Sequence, residues 1–165
     1  TSVALRELVS SAADGEVPVA IRPQVLEAVD RLAEIIRDEQ EAAGSDGPPG
    51  GEPAVVVVAS RTRPRMVRRL GHAVAARLGA RALGVVGLSG QEPPQHDVGS
   101  AFRLAQVARS LTLQGWSAQA IDGLRERTVV LVDDWSDSGW TLTTAAFLLR
   151  EAGAAAVHPF VLAQR

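Results

Sequence analysis

Two adjacent carboxylates, Asp133 and Asp134, follow an apolar β run at residues 129–132, and a helical pattern starts soon afterwards at Leu142. The intervening loop is small and polar, with Ser136, Asp137, Ser138, Gly139 and Thr141. Such a loop presents backbone N–H groups and the positive end of a helix dipole, which suit a phosphate. The carboxylates repel a phosphate and need other partners, such as sugar hydroxyls or a Mg²⁺ shared with the ligand. The stretch therefore predicts a site for a phosphorylated sugar.

The string Asp-Asp-x-x-x-Ser-Gly-x-Thr after an apolar strand resembles the 5-phosphoribosyl-1-pyrophosphate (PRPP) motif of type I phosphoribosyltransferases. The resemblance implies that Asp133 and Asp134 contact the ribose hydroxyls, and that Mg²⁺ is held near them indirectly through the ligand. It also implies a 5′-phosphate loop of Asp137, Ser138, Gly139, Trp140 and Thr141. Ser138 stands where Thr is usual, and Trp140 stands where a small or basic residue is more common. The alternative is a buried strand followed by an ordinary turn.

A second candidate anion site follows the apolar run at residues 54–59 and contains Ser60, Arg61, Thr62 and Arg63. In type I phosphoribosyltransferases the loop after this strand holds the pyrophosphate. The arginine-dense version in this chain is more similar to ComF-type relatives. Arginine suits the role because its guanidinium pairs with phosphate through two parallel hydrogen bonds and stays charged. The alternative, a solvated helix face, is the expectation for Arg68, Arg69 and Arg77.

Three further features, at Asp137, Trp135 and Ser100, each allow two interpretations. Asp137 resembles an aspartate that accepts a proton from the incoming base in purine-type relatives, and is our candidate catalytic residue, but it can equally cap the next helix. Trp135 can stack on a planar base or belong to the core. Ser100 and Arg103 belong to a segment similar to one that precedes the motif strand in the relatives, but Ser100 can simply cap a helix.

The remaining pattern predicts an α/β fold, with a mostly parallel sheet and helices on both faces, because strand and helix patterns alternate. Continuous apolar runs predict strands buried on both faces. The strands are predicted at residues 54–59, 82–88, 129–132 and 156–163, with Pro159 indicating an edge or a bulge in the last. The helices are predicted at residues 64–78, 100–113 and 142–151, with Gly153 closing the last, while residues 116–121 are ambiguous.

Three parts of the chain differ in composition. Residues 1–43 have helical spacing, residues 44–53 form a Gly/Pro-rich linker, and residues 54–165 carry the phosphoribosyltransferase-like pattern. The chain opens on Thr1 and its only methionine is Met66, which predicts a piece of a longer polypeptide. The N-terminal pattern, the linker and the motif loop together resemble the C-terminal extension of actinobacterial RecQ-type DNA helicases.

Composition narrows the function classes. The chain has 165 residues, no cysteine, no lysine and a net charge of −2, and no apolar run approaches a membrane span. We expect one cytoplasmic domain without disulfides or a thiolate metal site. A P-loop lysine and a Gly-x-Ser-x-Gly elbow are absent, and the three histidines lack metal-ligand spacing. Residues 53–91 contain seven arginines and no acid, a candidate anion-binding face.

Two hypotheses follow. In the first, the chain is an enzyme that displaces pyrophosphate from PRPP with a nitrogen nucleophile, assisted by Mg²⁺. In the second, it is a non-catalytic accessory domain that binds a nucleotide or a nucleic acid within a RecQ-type helicase. Contact with DNA, if any, should be weak, and a homodimer is left open. The acceptor cannot be read from the sequence.

Overall fold

The structure, a computed structural model, describes residues 14–44, 51–89 and 110–164. Its centre is a five-stranded sheet in the order β3-β2-β1-β4-β5. The strands are β1 (Ala54–Val58), β2 (Arg81–Leu88), β3 (Leu111–Thr112), β4 (Thr128–Ser136) and β5 (Ala156–Gln164). A 3₁₀ turn at Val19–Ile21 leads into helix α1 (Arg22–Ala43), and the later helices are α2 (Pro64–Leu78), α3 (Ala118–Asp122) and α4 (Trp140–Glu151).

The predicted α/β fold with a mostly parallel sheet is confirmed. β1 pairs in parallel with both β2 and β4, β4 pairs in parallel with β5, and only β3 runs antiparallel to its neighbour. All five residues of β1 are buried, as its uninterrupted apolar sequence predicts for a central parallel strand. Alternate β1 residues enter separate cores: Val55 and Val57 pack with α1 and α2, whereas Val56 and Val58 pack with α4.

Helix α2 sets the geometry beyond the end of β1. Its apolar face, which includes Met66, Leu70 and Val74, is buried. Gly71 permits a close approach to the sheet, because a Cβ there would lie 2.2 Å from a Cγ of Val57. Pro64 is in the first turn, where its missing N–H is tolerated. The helix therefore begins directly after the β1 loop and lies tightly against the strand.

Helix α1 packs into the same core as β1 and α2. Val29, Leu32 and Ile36 are buried in that core. At the surface, Arg77 of α2 donates two hydrogen bonds of 2.7 Å to the carboxylate of Asp30, and this hydrogen bonding lowers the pKa of Asp30. The division into a helical segment, a linker and a body stays a prediction, but α1 shares its core with the sheet.

Several predicted boundaries were wrong. β4 does not end before the acidic pair but continues to Ser136, because it pairs with β5 along that length. Helix α4 begins at Trp140 rather than Leu142. Residues 111–112, predicted as the end of a helix, form β3, where they pair with the outer edge of β2.

Other predictions hold in the described chain. Pro159 is exposed on β5, which is an edge strand as the proline indicated. The ambiguous residues 116–121 include the start of α3, and the indole Nε1 of Trp116 donates a 2.7 Å hydrogen bond to the Val85 carbonyl. The predicted helix at residues 100–109, with Ser100 and Arg103, and the N-terminal residues 1–13 lie outside the described residues. None of the described helices has both the length and the apolar character that a membrane crossing requires.

Candidate functional site

The site lies where the strand order of the sheet reverses. After β1 the chain crosses to β2 on one side, and after β4 it crosses to β5 on the other side. The two neighbouring strands are parallel, so their carboxyl ends share one edge of the sheet. Ligands of open α/β sheets bind outside such a switch point. Here the loop after β1 contributes residues 59–63, and the end of β4 with the loop that follows it contributes residues 133–139.

Hydrogen bonds within the β1–α2 loop give it a defined shape. The backbone N–H of Arg63 donates to the Ser60 hydroxyl at 3.0 Å, and the hydroxyls of Ser60 and Thr62 are 3.5 Å apart. Arg61 and Thr62 are exposed, whereas Ser60 and Arg63 are half-buried. The loop therefore turns two of its predicted anion-binding residues outward and directs the other two toward β4.

An ion pair joins this loop to the acidic motif. The Nε of Arg63 donates to Oδ2 of Asp134 at 2.8 Å, and the two side chains are only 13% and 6% exposed. The Ser60 hydroxyl lies 3.4 Å from the same carboxylate oxygen. Residues that are more than seventy positions apart in sequence thus meet across the switch point. Breaking this ion pair is unfavourable, because both side chains are largely removed from water.

Asp133 has a different environment from its neighbour. Its Oδ1 accepts a 2.8 Å hydrogen bond from the backbone N–H of Asp134. Burial, reinforced by the negative charge of Asp134, raises the pKa of Asp133 to about 8. Burial therefore disfavours the charged form of Asp133 in the protein without ligand. The motif thus presents one carboxylate in an ion pair and one carboxyl group whose charge is disfavoured by its surroundings.

The motif loop after β4 ends at a helix N-terminus. Gly139 is the N-cap of α4, with a φ of 75° that favours glycine, and no side chain caps the helix through this position. Among the residues that the structure describes, none would lie within 4 Å of a Cβ at Gly139. Asp137 and Ser138 are exposed, while Trp140 and Thr141 lie in the first turn and are half-buried. This end of α4 can present backbone N–H groups to a phosphate.

Both motif tryptophans contact the protein core. Trp135 packs against the core cluster shared by α1 and α2, and Trp140 packs against the cluster beneath α4. Core packing accounts for the unusual residue at position 140. The stacking role of Trp135 and the proton-accepting role of Asp137 stay predictions.

Asp14 belongs to this region and was missed from the sequence. Its Oδ1 accepts hydrogen bonds of 2.9 Å from the backbone N–H groups of Arg65 and Met66, at the N-terminus of α2. A nearby turn is also anchored, since Arg69 donates to the Gly15 carbonyl at 2.8 Å. No local pattern signals a cap that lies about fifty residues from its helix.

The donor set is compatible with Mg²⁺. Two adjacent carboxyl groups supply the hard oxygen ligands that Mg²⁺ prefers, and its remaining ligands normally come from water and substrate. Within residues 14–44, 51–89 and 110–164 there is no group of three or more His, Cys, Asp or Glu side chains placed to hold a metal. The described residues thus fit a cation shared with a ligand better than an all-protein metal cage.

Comparison with known structures supports the fold. The chain is similar to the hypoxanthine phosphoribosyl transferase of Trypanosoma cruzi (15% identity, TM-score 0.54, covering 88% of this chain and 65% of that one). It is also similar to the hypoxanthine phosphoribosyltransferase of Staphylococcus aureus (12%, 0.51, 86% and 63%). A third similar structure is the purine phosphoribosyltransferase of Pyrococcus horikoshii (20%, 0.50, 91% and 77%). The chain spans less than two thirds of the first two proteins.

Comparison at the level of sequence families identifies the chain. No curated protein sequence matches it. The family model described as the phosphoribosyl transferase domain matches residues 19–165, which includes α1, both strands of the switch point and the motif loop. This match covers most of the sequence and agrees with the fold. The chain therefore belongs to the phosphoribosyl transferase domain family.

Proposed function

We propose that this domain binds PRPP at the switch point and transfers its phosphoribosyl group to a nitrogen acceptor, with release of pyrophosphate. Three groups of residues each bind a different part of the ligand. Asp133 and Asp134 hold the ribose hydroxyls, and the loop of Asp137, Ser138, Gly139, Trp140 and Thr141 holds the 5′-phosphate. The β1–α2 loop of Ser60, Arg61, Thr62 and Arg63 holds the pyrophosphate.

One observation carries this proposal. The Arg63–Asp134 contact of 2.8 Å brings an arginine-rich anion loop against the acidic end of the PRPP motif. A ligand with an anion at one end and sugar hydroxyls beside it matches that combination of charges. The open N-terminus of α4 then supplies a second anion position on the same edge of the sheet.

In this proposal, the residues of the site assist the transfer by stabilising the charges that develop on the ligand. As the bond between ribose C1 and the pyrophosphate oxygen breaks, negative charge grows on the leaving group and positive charge on the ribose. Arg61 and Arg63 stabilise the first, and the carboxylates stabilise the second. Mg²⁺, when bound through the ligand beside Asp133 and Asp134, would neutralise part of the pyrophosphate charge. Fixing the sugar at both ends orients C1 toward the acceptor.

The acceptor is tested by a screen. Purified protein is incubated with PRPP, Mg²⁺ and single nucleobases or amines, and pyrophosphate release is measured. We expect acceptor-dependent release, and its loss in the Asp133→Asn/Asp134→Asn variant. Release that persists in this variant at the wild-type rate would contradict the proposed site.

The alternative function is that of an accessory domain within a RecQ-type helicase. The same screen distinguishes it from the first proposal. It predicts that PRPP or a nucleotide binds without pyrophosphate release for any acceptor. Binding measured by calorimetry together with a blank screen would favour this alternative. Family membership alone does not decide, because a fold and its site can persist without turnover.

A further inference from the structure

We propose that the cavity between α2 and β2 is a binding site for a small organic carboxylate, one negative charge on an apolar body. The cavity lies on the face of the sheet that α2 covers, whereas the proposed PRPP site lies at the carboxyl edge of the sheet. An apolar cavity with a few polar groups is the usual form of a small-molecule site. The inference goes beyond the proposed function and does not depend on it.

The position of α2 explains why a cavity exists there. The helix packs more closely on β1 than on β2, and a Cβ at Gly71 would clash with the side chain of Val57. Val55 and Val57 of β1 are buried on this face. On the neighbouring strand β2, Ala82 is exposed and Val85 is half-buried. The flank of α2 and the less covered part of β2 therefore form two walls of the cavity.

The β2 wall is irregular at the same place. The register with β1 shifts there, because Ala82 and Gly84 pair with consecutive residues of β1 and Leu83 is the extra residue. Such a β-bulge bends its strand and redirects nearby side chains, and bulges are over-represented beside active sites. The bulged residue and both its neighbours line the cavity. The irregularity therefore contributes to the shape of the proposed site.

The cavity has the size and lining of a site for a small ligand. Its volume is about 320 Å³. That is the space of about ten water molecules in the liquid, at the lower end of the usual range for ligand sites. Val55, Val57 and Val85 supply apolar lining, and Arg68 and His72 line the cavity from α2. The apolar part of a ligand would contact the valines, and its polar end would lie at α2.

The polar residues of the cavity favour an anion. Arg68 and His72 are four residues apart on α2, so they lie on the same side of the helix. The guanidinium is permanently charged and matches a carboxylate, and an imidazole N–H can donate a further hydrogen bond. None of the described residues that line the cavity is acidic, and residues 53–91 contain no acid. One permanent positive charge matches a monocarboxylate better than a dianion.

Arg68 differs from two other arginines of α2. Arg69 donates to the Gly15 carbonyl at 2.8 Å, and Arg77 donates to the carboxylate of Asp30 at 2.7 Å. These two side chains stabilise contacts between α2 and the N-terminal part of the described chain. Arg68 instead lines the cavity and is exposed. Its guanidinium is therefore accessible to a ligand that enters the cavity.

The probe is sodium benzoate, titrated into ¹⁵N-labelled protein and followed by NMR, with benzamide as the uncharged counterpart. We expect a dissociation constant on the order of 1 mM for an anion of this size. The amide signals of His72 and Val85 should shift, while that of Gly139 at the switch point should not. Benzamide should bind about fivefold more weakly, because it lacks the charge that pairs with Arg68.

Two variants test the two parts of the site. Arg68→Gln should weaken benzoate binding about fivefold, and Arg65→Gln, which removes an exposed charge from the first turn of the same helix, should not. Ala82→Phe adds a ring beside the cavity at an exposed position and should abolish the benzoate-induced shifts. Circular dichroism checks that each variant is folded. If Ala82→Phe does not fold, Arg68→Gln decides by itself.

Shifts at His72 and Val85 that are lost in Ala82→Phe and weakened in Arg68→Gln alone of the two arginine variants support the inference. Three results would each overturn it: no shift at these two amides, equal affinity for benzamide, or unchanged affinity in Arg68→Gln. Shifts confined to Gly139 and its neighbours would place benzoate at the switch point and also overturn it. PRPP is absent from the titration, so each of these results leaves the proposed function to its own test.

Discussion

The two loops at the carboxyl edge of the sheet differ in exposure and in their contacts with the other strands. The β1–α2 loop is closed by internal contacts, since Arg63 bonds both Ser60 and Asp134. The loop before α4 ends in Gly139, which has no side chain to cap the helix, and Asp137 and Ser138 are exposed. On the proposed function, a 5′-phosphate would meet the exposed residues of the loop before α4, whereas a pyrophosphate would displace an ion pair.

The largest expected effect on stability comes from breaking the ion pair that holds the β1–α2 loop. Asp134→Ala breaks the buried ion pair with Arg63, and we expect a loss of about 3–5 kcal/mol in the free energy of unfolding. Chemical denaturation measures it. Glu34→Ala on the exposed side of α1 is the control, with an expected change within about 0.5 kcal/mol. A loss at Asp134 no larger than at Glu34 would show that the pair does not hold the loop.

The acidic pair also predicts how stability depends on pH. The ordinary pKa of an aspartate is 3.8, and burial raises that of Asp133 to about 8 in the folded protein. Between these values the folded state retains a proton that the unfolded state releases, so this group's contribution to stability falls as pH rises through the window. Above about pH 8 both states are ionised and the contribution is constant. Denaturation at several pH values should show a flatter profile for Asp133→Asn.

A substitution at Gly139 tests the loop before α4. Gly139→Ala adds a Cβ at a φ of 75°, and we expect a loss of stability of about 1–2 kcal/mol. We also expect weaker binding of ribose 5-phosphate, because the turn proposed to hold the phosphate would be strained. Gly79→Ala is a matched control, with a φ of 62° at the end of α2 and no atom of the described residues within 4 Å of its added Cβ. It should lose similar stability but retain the affinity, and a parallel loss of affinity would assign the effect to folding.

The smallest expected effect concerns nucleic acid. Arg65 and Arg68 are exposed on α2, whereas Arg69 donates to the Gly15 carbonyl. If the domain touches single-stranded DNA, binding should be weak, and each lost phosphate contact should lower the salt slope by about 0.7. Fluorescence anisotropy at several salt concentrations compares Arg65→Ala and Arg68→Ala with Arg69→Ala. We expect Arg65→Ala and Arg68→Ala to lower the salt slope more than Arg69→Ala does. A larger effect of Arg69→Ala would contradict this expectation.

The fold was predictable where a local pattern determines it. The apolar run of β1, the Pro64 start of α2 and the edge position of β5 each follow from a few neighbouring residues. The end of β4 was not, because Asp133 and Asp134 interrupt the apolar pattern while pairing with β5 continues the strand. Polar residues within a strand give no local signal of that pairing.

The candidate site was also predictable only where its residues are close together in sequence. The motif residues were found because their spacing is local. The contacts that link them to the rest of the chain were not, since Arg63 with Asp134 and Asp14 with Arg65 join residues far apart in sequence. Long-range contacts depend on how helices and strands pack, and one sequence does not reveal them.

In the proposed site, Asp133 and Asp134 hold the ribose of PRPP. Calorimetry with PRPP and Mg²⁺ on wild-type protein and on Asp133→Asn/Asp134→Asn tests it most directly. Each lost charged hydrogen bond should cost about 1.5–3 kcal/mol, so the affinity of the double variant should fall by roughly a hundredfold or more. An unchanged affinity in a folded double variant would contradict this role of the two aspartates.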